Sequence, residues 1–379
     1  MERDQATKFI YELCRLVISK KASDLFITAG FPPALKIDGR VTPVSQTVLT
    51  PQHTVELTRA VMNDRQAADF EATKECNFAI TPANIGRFRV NAFVQQGSIG
   101  MVLRIINSKI PTFTELAVPP ILKDVSLSKR GLVIIVGGTG SGKSTTLAAM
   151  LGYRNENSYG HIITIEDPVE FVHPHRNSII TQREVGVDTD DWGTALKNTL
   201  RQAPDVIMMG EIRDTSTMEY AIQFSETGHL CLATLHANNA NQAIDRIVNF
   251  FPEERHEQVL MDLSLNLKAM ISQRLIPKKE SKGRVAAIEI LLNSPLISEK
   301  IFGGEVAEIK EIMKRSRDIG MQTFDQHLFE LFDNDLVSYE DAIRNADSMN
   351  DLRLMIKLNS KDSKGKDMAA GLNHLEIMK

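Results

Sequence analysis

Residues 137–145 read Gly-Gly-Thr-Gly-Ser-Gly-Lys-Ser-Thr, which is the G-x-x-x-x-G-K-[ST] pattern of loops that bind nucleoside triphosphates. The glycines let backbone N–H groups turn inward around phosphate oxygens, because no Cβ stands in the way. Lys143 can reach the β- and γ-phosphates, and the Ser144 hydroxyl can ligate Mg²⁺. We therefore expect ATP and Mg²⁺ as cofactors; the alternative is a glycine-rich turn that binds nothing. The expected nucleotide-binding residues are Gly137, Gly138, Thr139, Gly140, Ser141, Gly142, Lys143, Ser144 and Thr145.

The segments on either side of this loop favour phosphate binding. Residues 132–136 are all apolar and predict a strand that is buried on both faces. Residues 145–151 predict a helix, whose N-terminus would point at the phosphates. The order of strand, loop and helix is the structural context that this motif requires.

Polar side chains also follow three other apolar segments. The segments are residues 161–165 before Glu166, residues 206–209 before Gly210 and Glu211, and residues 230–235 before His236. They alternate with helical patterns, which predicts a parallel sheet. Ligands of open α/β sheets bind outside the carboxyl ends of the strands. We therefore expect these side chains to share one edge with the phosphate loop.

Two of these carboxylates suit phosphoryl transfer to water, which needs Mg²⁺ and an oriented attacking water. Glu211 is placed as the Walker B acid that acts on Mg²⁺ through water, and Glu166 could polarise the attacking water. A helix cap or a turn is the alternative for either carboxylate alone. Asp167 precedes a proline and fits a turn better than catalysis.

Two histidines, His229 and His236, flank the predicted strand 230–235. Each taken alone fits a structural histidine whose nitrogens are satisfied by hydrogen bonds. Their sequence positions are compatible both with structural histidines and with histidines that act at the nucleotide.

Arginines cluster on a predicted hairpin formed by residues 87–94 and 100–105. A turn centred near residues 97–98 would place Asn91 opposite Arg104, with Arg89 one diagonal step away. Arg87, Arg89 and Arg104 would then share one face of the sheet. That face is either solvated or a clamp for an anion.

Composition argues for an ordinary globular protein, with 42% hydrophobic and 24% charged residues among 379. The net charge of −4 argues against a nucleic acid as the main partner, since such proteins carry a basic footprint. Three cysteines without metal-ligand spacing suggest reduced thiols in the cytosol. We find neither a secretory leader nor a run of eighteen apolar residues, so a cytoplasmic protein is expected.

The pattern along the chain predicts two domains of α/β type. Strand and helix signals fill residues 1–106, a proline-rich linker follows at 107–120, and a second domain spans 121–358. The carboxyl third of the chain reads as helical, with an apolar stripe on one helix face. Its members are Val259, Leu260, Leu263, Leu267, Met270 and Ile271. Residues 359–379 read as a polar, mobile tail.

Four blocks together carry a family resemblance. They are Gly137–Thr146, His161–Phe171, Val206–Arg213 and Thr227–Asn238, and the stretch Gly86–Asn91 agrees with them. The chain resembles the PilT/PilU family of type IV pilus retraction ATPases, within the secretion ATPase superfamily. It is more similar to the PilU branch in residues 200–208 and 231–240. The arginine-rich motif that the PilT branch carries near its carboxyl end is missing, and residues 308–316 stand in its place.

The resemblance implies a small PAS-like α+β N-terminal domain and a RecA-like ATPase domain with a helical C-terminal extension. By the family's motifs Glu166 is the catalytic carboxylate, Glu211 is the Walker B acid, and Arg89 and Arg104 are arginine fingers. His229 and His236 belong to the histidine box and complete the candidate catalytic set, and Ser144 and Glu211 are the candidate metal ligands. Arg87 keeps the solvated or interface role.

The resemblance further implies a homo-hexamer at the inner membrane, docked under the pilus platform protein. ATP hydrolysis would move the two domains against each other and so retract the pilus. The missing motif favours a second hypothesis, a nucleotide-responsive accessory ring that turns over only with a partner retraction ATPase. A RecA-like helicase fits the phosphate loop but not the net charge.

Overall fold

The computed structural model describes residues 2–106, 109–280 and 283–359. The predicted tail lies outside these residues, apart from residue 359. The chain forms two compact units, which consist of interleaved segments. The first unit comprises Met1–Ile110, Ile165–Pro174 and Gln182–Ala195, and the second comprises Pro111–Thr164, His175–Thr181 and Leu196–Lys379.

The amino-terminal part of the first unit is a six-stranded sheet with three helices. In chain order the elements are α1 (Arg3–Ser19), β1 (Asp24–Thr28), β2 (Ala34–Ile37), β3 (Arg40–Pro43), α2 (Pro51–Ala60), α3 (Asp64–Thr73), β4 (Glu75–Ile80), β5 (Phe88–Gln95) and β6 (Ser98–Ile105). The strand order is β3-β2-β1-β6-β5-β4, and every neighbouring pair is antiparallel. Alternate residues of β5, such as Phe88 and Val90, enter the core of this unit.

Helix α2 begins where the sequence predicts. The Thr50 side chain accepts a hydrogen bond from the backbone N–H of His53, and the His53 ring in turn accepts one from the N–H of Thr50. Pro51 occupies the first turn, where its missing N–H costs no helical hydrogen bond.

The register predicted for the arginine hairpin is wrong by one residue in the turn. Gln95 pairs with Ser98, so Gln96 and Gly97 form a two-residue turn, and both have positive φ (47° and 75°). That geometry matches the right-handed twist of the flanking strands. As a result Arg89 lies directly opposite Arg104, where the prediction placed Asn91.

The rest of the chain contributes a seven-stranded sheet flanked by helices. In chain order the elements are α4 (Phe113–Leu116), α5 (Ile121–Ser126), β7 (Gly131–Val136), α6 (Lys143–Asn157), β8 (Gly160–Glu166), β9 (Ser178–Glu184), α7 (Trp192–Thr199), β10 (Val206–Met209), α8 (Thr215–Glu226), β11 (Leu230–Leu235), α9 (Ala240–Val248), α10 (His256–Asn266), β12 (Leu267–Pro277), β13 (Arg284–Leu292), α11 (Pro295–Phe302), α12 (Val306–Arg315), α13 (Phe324–Asp333), α14 (Tyr339–Arg344) and α15 (Met349–Asn359). The strand order is β13-β12-β7-β11-β10-β8-β9. The predicted α/β class is confirmed.

The centre of this sheet carries the sequence-predicted strands. β7 lies between β11 and β12, pairs in parallel with both, and is buried along nearly its whole length. β11 also pairs in parallel with β10. The carboxyl ends of β7, β10 and β11 therefore meet at one edge.

The helical stripe predicted near residues 259–271 is wrong in its second half. Helix α10 ends at Asn266, and Leu267 begins β12, which pairs in parallel with β7 and antiparallel with β13. Residues 269–273 are all buried, so both faces are covered, as in a central strand or a buried helix. These residues form a strand because they pair with β7 and β13.

Part of the predicted linker has secondary structure of its own. Thr112 caps the short helix α4 by accepting from the N–H of Glu115, and the Glu115 carboxylate accepts from the N–H of Thr112. The Phe113 ring packs on Tyr153 of α6 with centroids 5.3 Å apart. Among the described residues, no helix is long and apolar enough to cross a membrane.

Candidate functional site

The phosphate loop joins β7 to α6 in the second unit. Helix α6 begins at Lys143, within the motif, so its first-turn N–H groups are available to an anion. The Lys143 ammonium donates to the carbonyl oxygens of Gly137 and Gly138, at 2.8 and 2.9 Å. The loop thus encloses its lysine.

The glycines of this loop face two different surroundings. A Cβ added at Gly138 or Gly140 would meet nothing within 4 Å, so open space lies in front of these residues. A Cβ at Gly137 would lie 2.8 Å from the backbone oxygen of Gln273, and one at Gly142 would lie 2.7 Å from the Gln273 side-chain nitrogen. The open side of the loop suits a polyphosphate, and the crowded side is packed against β12.

Glu211 lies just beyond β10, between two other polar side chains. Its Oε1 is 3.1 Å from Nε2 of His236, and its Oε2 accepts a hydrogen bond of 2.8 Å from Nε of Arg213. The strand ends hold this cluster together, because the Thr234 hydroxyl donates to the carbonyl oxygen of Gly210. The structure therefore brings Glu211 and His236 together, as their positions after neighbouring strands predict.

The surroundings of His236 favour its neutral form. Burial lowers its pKa below the usual 6.5, and the positive charges of Lys143 and Arg246 lower it further, against the opposing effect of Glu211. A neutral ring with its proton on Nε2 can donate to the Glu211 carboxylate, whose Oε1 lies 3.1 Å away.

An open cavity of about 480 Å³ adjoins the phosphate loop. It is lined by Gly138, His236 and Asn238 and by the polar side chains Gln242, Asp245 and Arg246 of α9. The carboxylate of Asp245 offsets the charge of Arg246, so the lining is polar without a net charge.

His229 lies at the other end of the strand from His236. It precedes β11, and its Nδ1 lies 3.0 Å from the Thr227 hydroxyl and 3.2 Å from the carbonyl oxygen of Phe224. A strand of six residues separates the two histidines by about 20 Å. The structure therefore does not bring His229 to the edge where His236 and Glu211 lie, and its catalytic role stays a prediction.

Glu166 ends β8 and belongs to the first unit. Its side chain is buried, and its Oε1 accepts a hydrogen bond of 3.1 Å from the Gln182 amide. The same amide donates to the carbonyl oxygen of Phe171, and the Glu166 carbonyl accepts from the N–H of Val185. The carboxylate is thus held in a fixed orientation by β9 and the loop after β8.

The three arginines predicted to share one face of the hairpin have acidic neighbours. Nε of Arg104 donates to Oδ1 of the buried Asp24 at 2.7 Å, across the β1–β6 pair. Arg87 lies 3.8 Å from Glu184 and 3.6 Å from Asp188, so it is ion-paired rather than simply solvated. Burial raises the pKa of Glu184, whereas the charges of Arg87 and Arg89 act to lower it. Arg89 therefore lies close enough to Glu184 to influence it.

A buried carboxylate lies behind the loop that carries His236. Oε1 of Glu289, on β13, accepts from the N–H of Ala240 at the start of α9 and from the Ser272 hydroxyl, at 2.8 and 2.9 Å. Burial raises the Glu289 pKa to about 7, with the charge of Asp347 adding to it and that of Lys310 opposing it. Glu289 anchors the helix that follows His236, and sequence motifs do not single it out.

We expect Glu289→Gln to change how stability depends on pH. Between about pH 4.5 and 7 the folded wild type holds a proton on Glu289 that its unfolded chain has released. The wild-type free energy of unfolding therefore falls with rising pH by up to about 1.4 kcal/mol per unit. The variant lacks this titration. Its free energy of unfolding minus that of wild type should therefore increase from pH 5 to 7 and stay constant above pH 7. Urea unfolding at pH 5, 6, 7 and 8 measures it, with the exposed Glu219→Gln as control; parallel curves for Glu289→Gln and wild type would contradict the assignment.

Gln273, beneath the phosphate loop, carries no motif signal. It hydrogen-bonds to the Thr146 hydroxyl and to the carbonyl oxygen of Ser141. These contacts join chain segments up to 132 residues apart, so a local pattern cannot reveal them. In the described part of the chain, no three His, Cys, Asp or Glu side chains are grouped to hold a metal ion.

Comparison with known proteins adds three similarities. The family described as type II/IV secretion system protein matches residues 2–346. The type IV pilus ATPase PilU of Pseudomonas aeruginosa is 61% identical over 350 residues, which cover 92% of this chain and 92% of PilU. The pilus retraction ATPase PilT of the same organism is 44% identical over 333 residues, covering 88% of this chain and 96% of PilT.

A solved structure resembles this one closely. The crystal structure of the pilus retraction motor PilT with bound ADP matches with a TM-score of 0.84 at 40% identity. The match covers 91% of this chain and 98% of the PilT chain.

Proposed function

This chain belongs to the type II/IV secretion system protein family, in its type IV pilus retraction branch, and we propose from this premise that it hydrolyses ATP to power or assist pilus retraction. The resemblance stated from the sequence motifs is confirmed. The observation that carries the proposal is the 61% identity to PilU over 92% of both chains. The enclosed Lys143 and the open face of its loop support the nucleotide part.

Each candidate side chain has a proposed role in phosphoryl transfer. Lys143 and the loop N–H groups bind the β- and γ-phosphates, and Glu166 polarises the attacking water. Arg89 and Arg104 neutralise charge that develops in the transition state. His236 reports the phosphate state to Glu211, through the hydrogen bond between them. His229 remains among the proposed catalytic residues because it belongs to the histidine box.

Mg²⁺ is the proposed metal cofactor, with Ser144 and Glu211 as its protein-side groups. Both offer oxygen atoms, the donor type that Mg²⁺ prefers, and Mg²⁺ commonly takes its remaining ligands from phosphates and water. When bound, the ion supplies positive charge against the phosphate oxygens. Glu211 would act on it through water, since both of its oxygens contact neighbouring side chains.

The proposed assembly is a homo-hexamer in the cytoplasm, attached to the inner membrane through the pilus platform protein. No nucleic acid is proposed as a partner. We further propose that residues 1–106 form a PAS-like domain, residues 107–120 a linker and residues 121–358 the ATPase domain. Hydrolysis would drive movement between these domains, which is the step that a motor transmits.

A second function, that of an accessory ring, is favoured by two observations. The chain is 61% identical to PilU but 44% identical to PilT. In addition, Glu308–Ser316 replaces the arginine-rich motif of the PilT branch, and most of this segment forms α12. An accessory ring would turn over only in the company of a partner retraction ATPase.

ATP turnover by the purified protein, with and without a PilT-type ATPase, separates the two functions. A motor that works alone is expected to release phosphate at a rate proportional to its own concentration. An accessory ring is expected to show this rate only when the partner is added, and Lys143→Ala serves as the background control. Absence of turnover above that background in both arms would overturn the proposed ATPase function.

A further inference from the structure

We propose that Gln273 is a positioning residue, which holds the phosphate loop in its binding conformation from behind. Gln273 lies on β12 and is buried, with 3% of its surface exposed. Its Nε2 donates to the carbonyl oxygen of Ser141 at 2.8 Å, and its Oε1 accepts from the Thr146 hydroxyl at 2.7 Å. One side chain thus joins the loop to the first turns of α6.

The need for such a residue follows from the loop's own geometry. A loop that directs its N–H groups toward phosphate must direct carbonyl oxygens away from it, and these need other partners. Lys143 satisfies the oxygens of Gly137 and Gly138. Gln273 satisfies that of Ser141. The amide therefore stabilises the arrangement of the loop in which its N–H groups face the ligand.

The contact is also tight enough to exclude side chains from the loop. A Cβ at Gly142 would lie 2.7 Å from Nε2 of Gln273, and one at Gly137 would lie 2.8 Å from the Gln273 carbonyl oxygen. The approach of β12 is therefore one reason for glycine at both positions, beside the Ser141 hydroxyl near Gly137 and the positive φ (+89°) of Gly142. Gln273 constrains the loop at its first and last glycines.

The expected consequence is a change in nucleotide affinity. Without the hydrogen bonds of Gln273 the loop populates other conformations. The apparent dissociation constant then rises in inverse proportion to the fraction of molecules whose loop has the binding conformation. Two buried hydrogen bonds of about 1 kcal/mol each correspond to a roughly tenfold to thirtyfold change in that constant. This inference rests on the proposed nucleotide function, and its test therefore uses binding rather than turnover.

The experiment measures binding of fluorescent ADP with Mg²⁺ to the full chain, together with the melting temperature without nucleotide. Gln273→Met keeps the shape and removes both hydrogen bonds, and it is expected to raise Kd about tenfold or more. Thr146→Val removes one bond of about 1 kcal/mol and is expected to raise Kd about fivefold. Gln322→Met is the matched control, because the buried Gln322 amide donates to the carbonyl oxygen of Ile288 without contacting the loop.

The outcomes separate positioning from general stability. A raised Kd in Gln273→Met with an unchanged Kd in Gln322→Met supports the proposal. An unchanged Kd in Gln273→Met, or an equal rise in both variants, overturns it. If Gln273→Met fails to fold, Thr146→Val decides by the same comparison. Wild-type protein that fails to bind the fluorescent nucleotide would instead contradict the proposed function.

Discussion

Arg104→Ala is expected to lower kcat for ATP hydrolysis by about 10³-fold or more, the contribution typical of an arginine finger. The guanidinium would neutralise charge on the transferring phosphoryl group, which alanine cannot do. About two-thirds of the Arg104 side chain is exposed, so only part of it is committed to packing. Steady-state phosphate release at saturating ATP gives kcat. A loss of less than threefold would refute the role.

The control for this experiment is Asp24→Asn. Arg104 donates to the buried Asp24, so its removal also leaves a carboxylate without its ion pair. Asp24→Asn removes the same ion pair but keeps the guanidinium. We expect it to retain kcat within about threefold, since Arg104 keeps its guanidinium and the asparagine oxygen can still accept its hydrogen bond. A loss in Asp24→Asn as large as in Arg104→Ala would assign Arg104 to stability rather than catalysis.

Glu166→Gln is expected to lower kcat by about 10²- to 10⁴-fold while ATP binding is retained. Glutamine has the same shape, and its carbonyl oxygen can still accept the hydrogen bond from Gln182. It has no negative charge with which to polarise water. Phosphate release and nucleotide binding, measured on the same preparation, test both halves of the expectation.

Glu184→Gln is the matched control for Glu166→Gln. Glu184 is a second buried carboxylate of the first unit, on β9, and accepts a hydrogen bond from the N–H of Val169. We assign it no contact with ATP, so its glutamine variant should keep kcat within about threefold. Full activity in Glu166→Gln would remove Glu166 from the catalytic set.

The parts of the fold that the sequence predicts are those with local causes. The strand before residue 137 and the helix after it follow from apolar runs beside glycines, and the cap of α2 follows from Thr50 and Pro51. The convergence of Glu211 and His236 follows from parallel strands that share one edge.

The parts that the sequence did not predict depend on distant partners. Residues 267–271 continue an apolar helical pattern, and only pairing of β12 with β7 and β13 makes them a strand. The contact of Gln273 with Ser141 joins residues 132 positions apart and leaves no periodic signal. The pairing of Arg104 with Asp24 likewise requires the β1–β6 register, which no turn between those strands fixes.

The length of the turn at Gln96 and Gly97 affects where two arginines of this chain lie relative to each other. Because Gln95 pairs with Ser98 across this turn, Arg89 lies opposite Arg104. Suppose that one residue were inserted in the turn and that the pairing of β5 with β6 shifted by one position. The side chains of β6 would then exchange faces, and Arg104 would lie on the face of the sheet where Leu103 lies now. The arginine pair is therefore as sensitive to insertions and deletions at an exposed turn as to substitution of the arginines themselves.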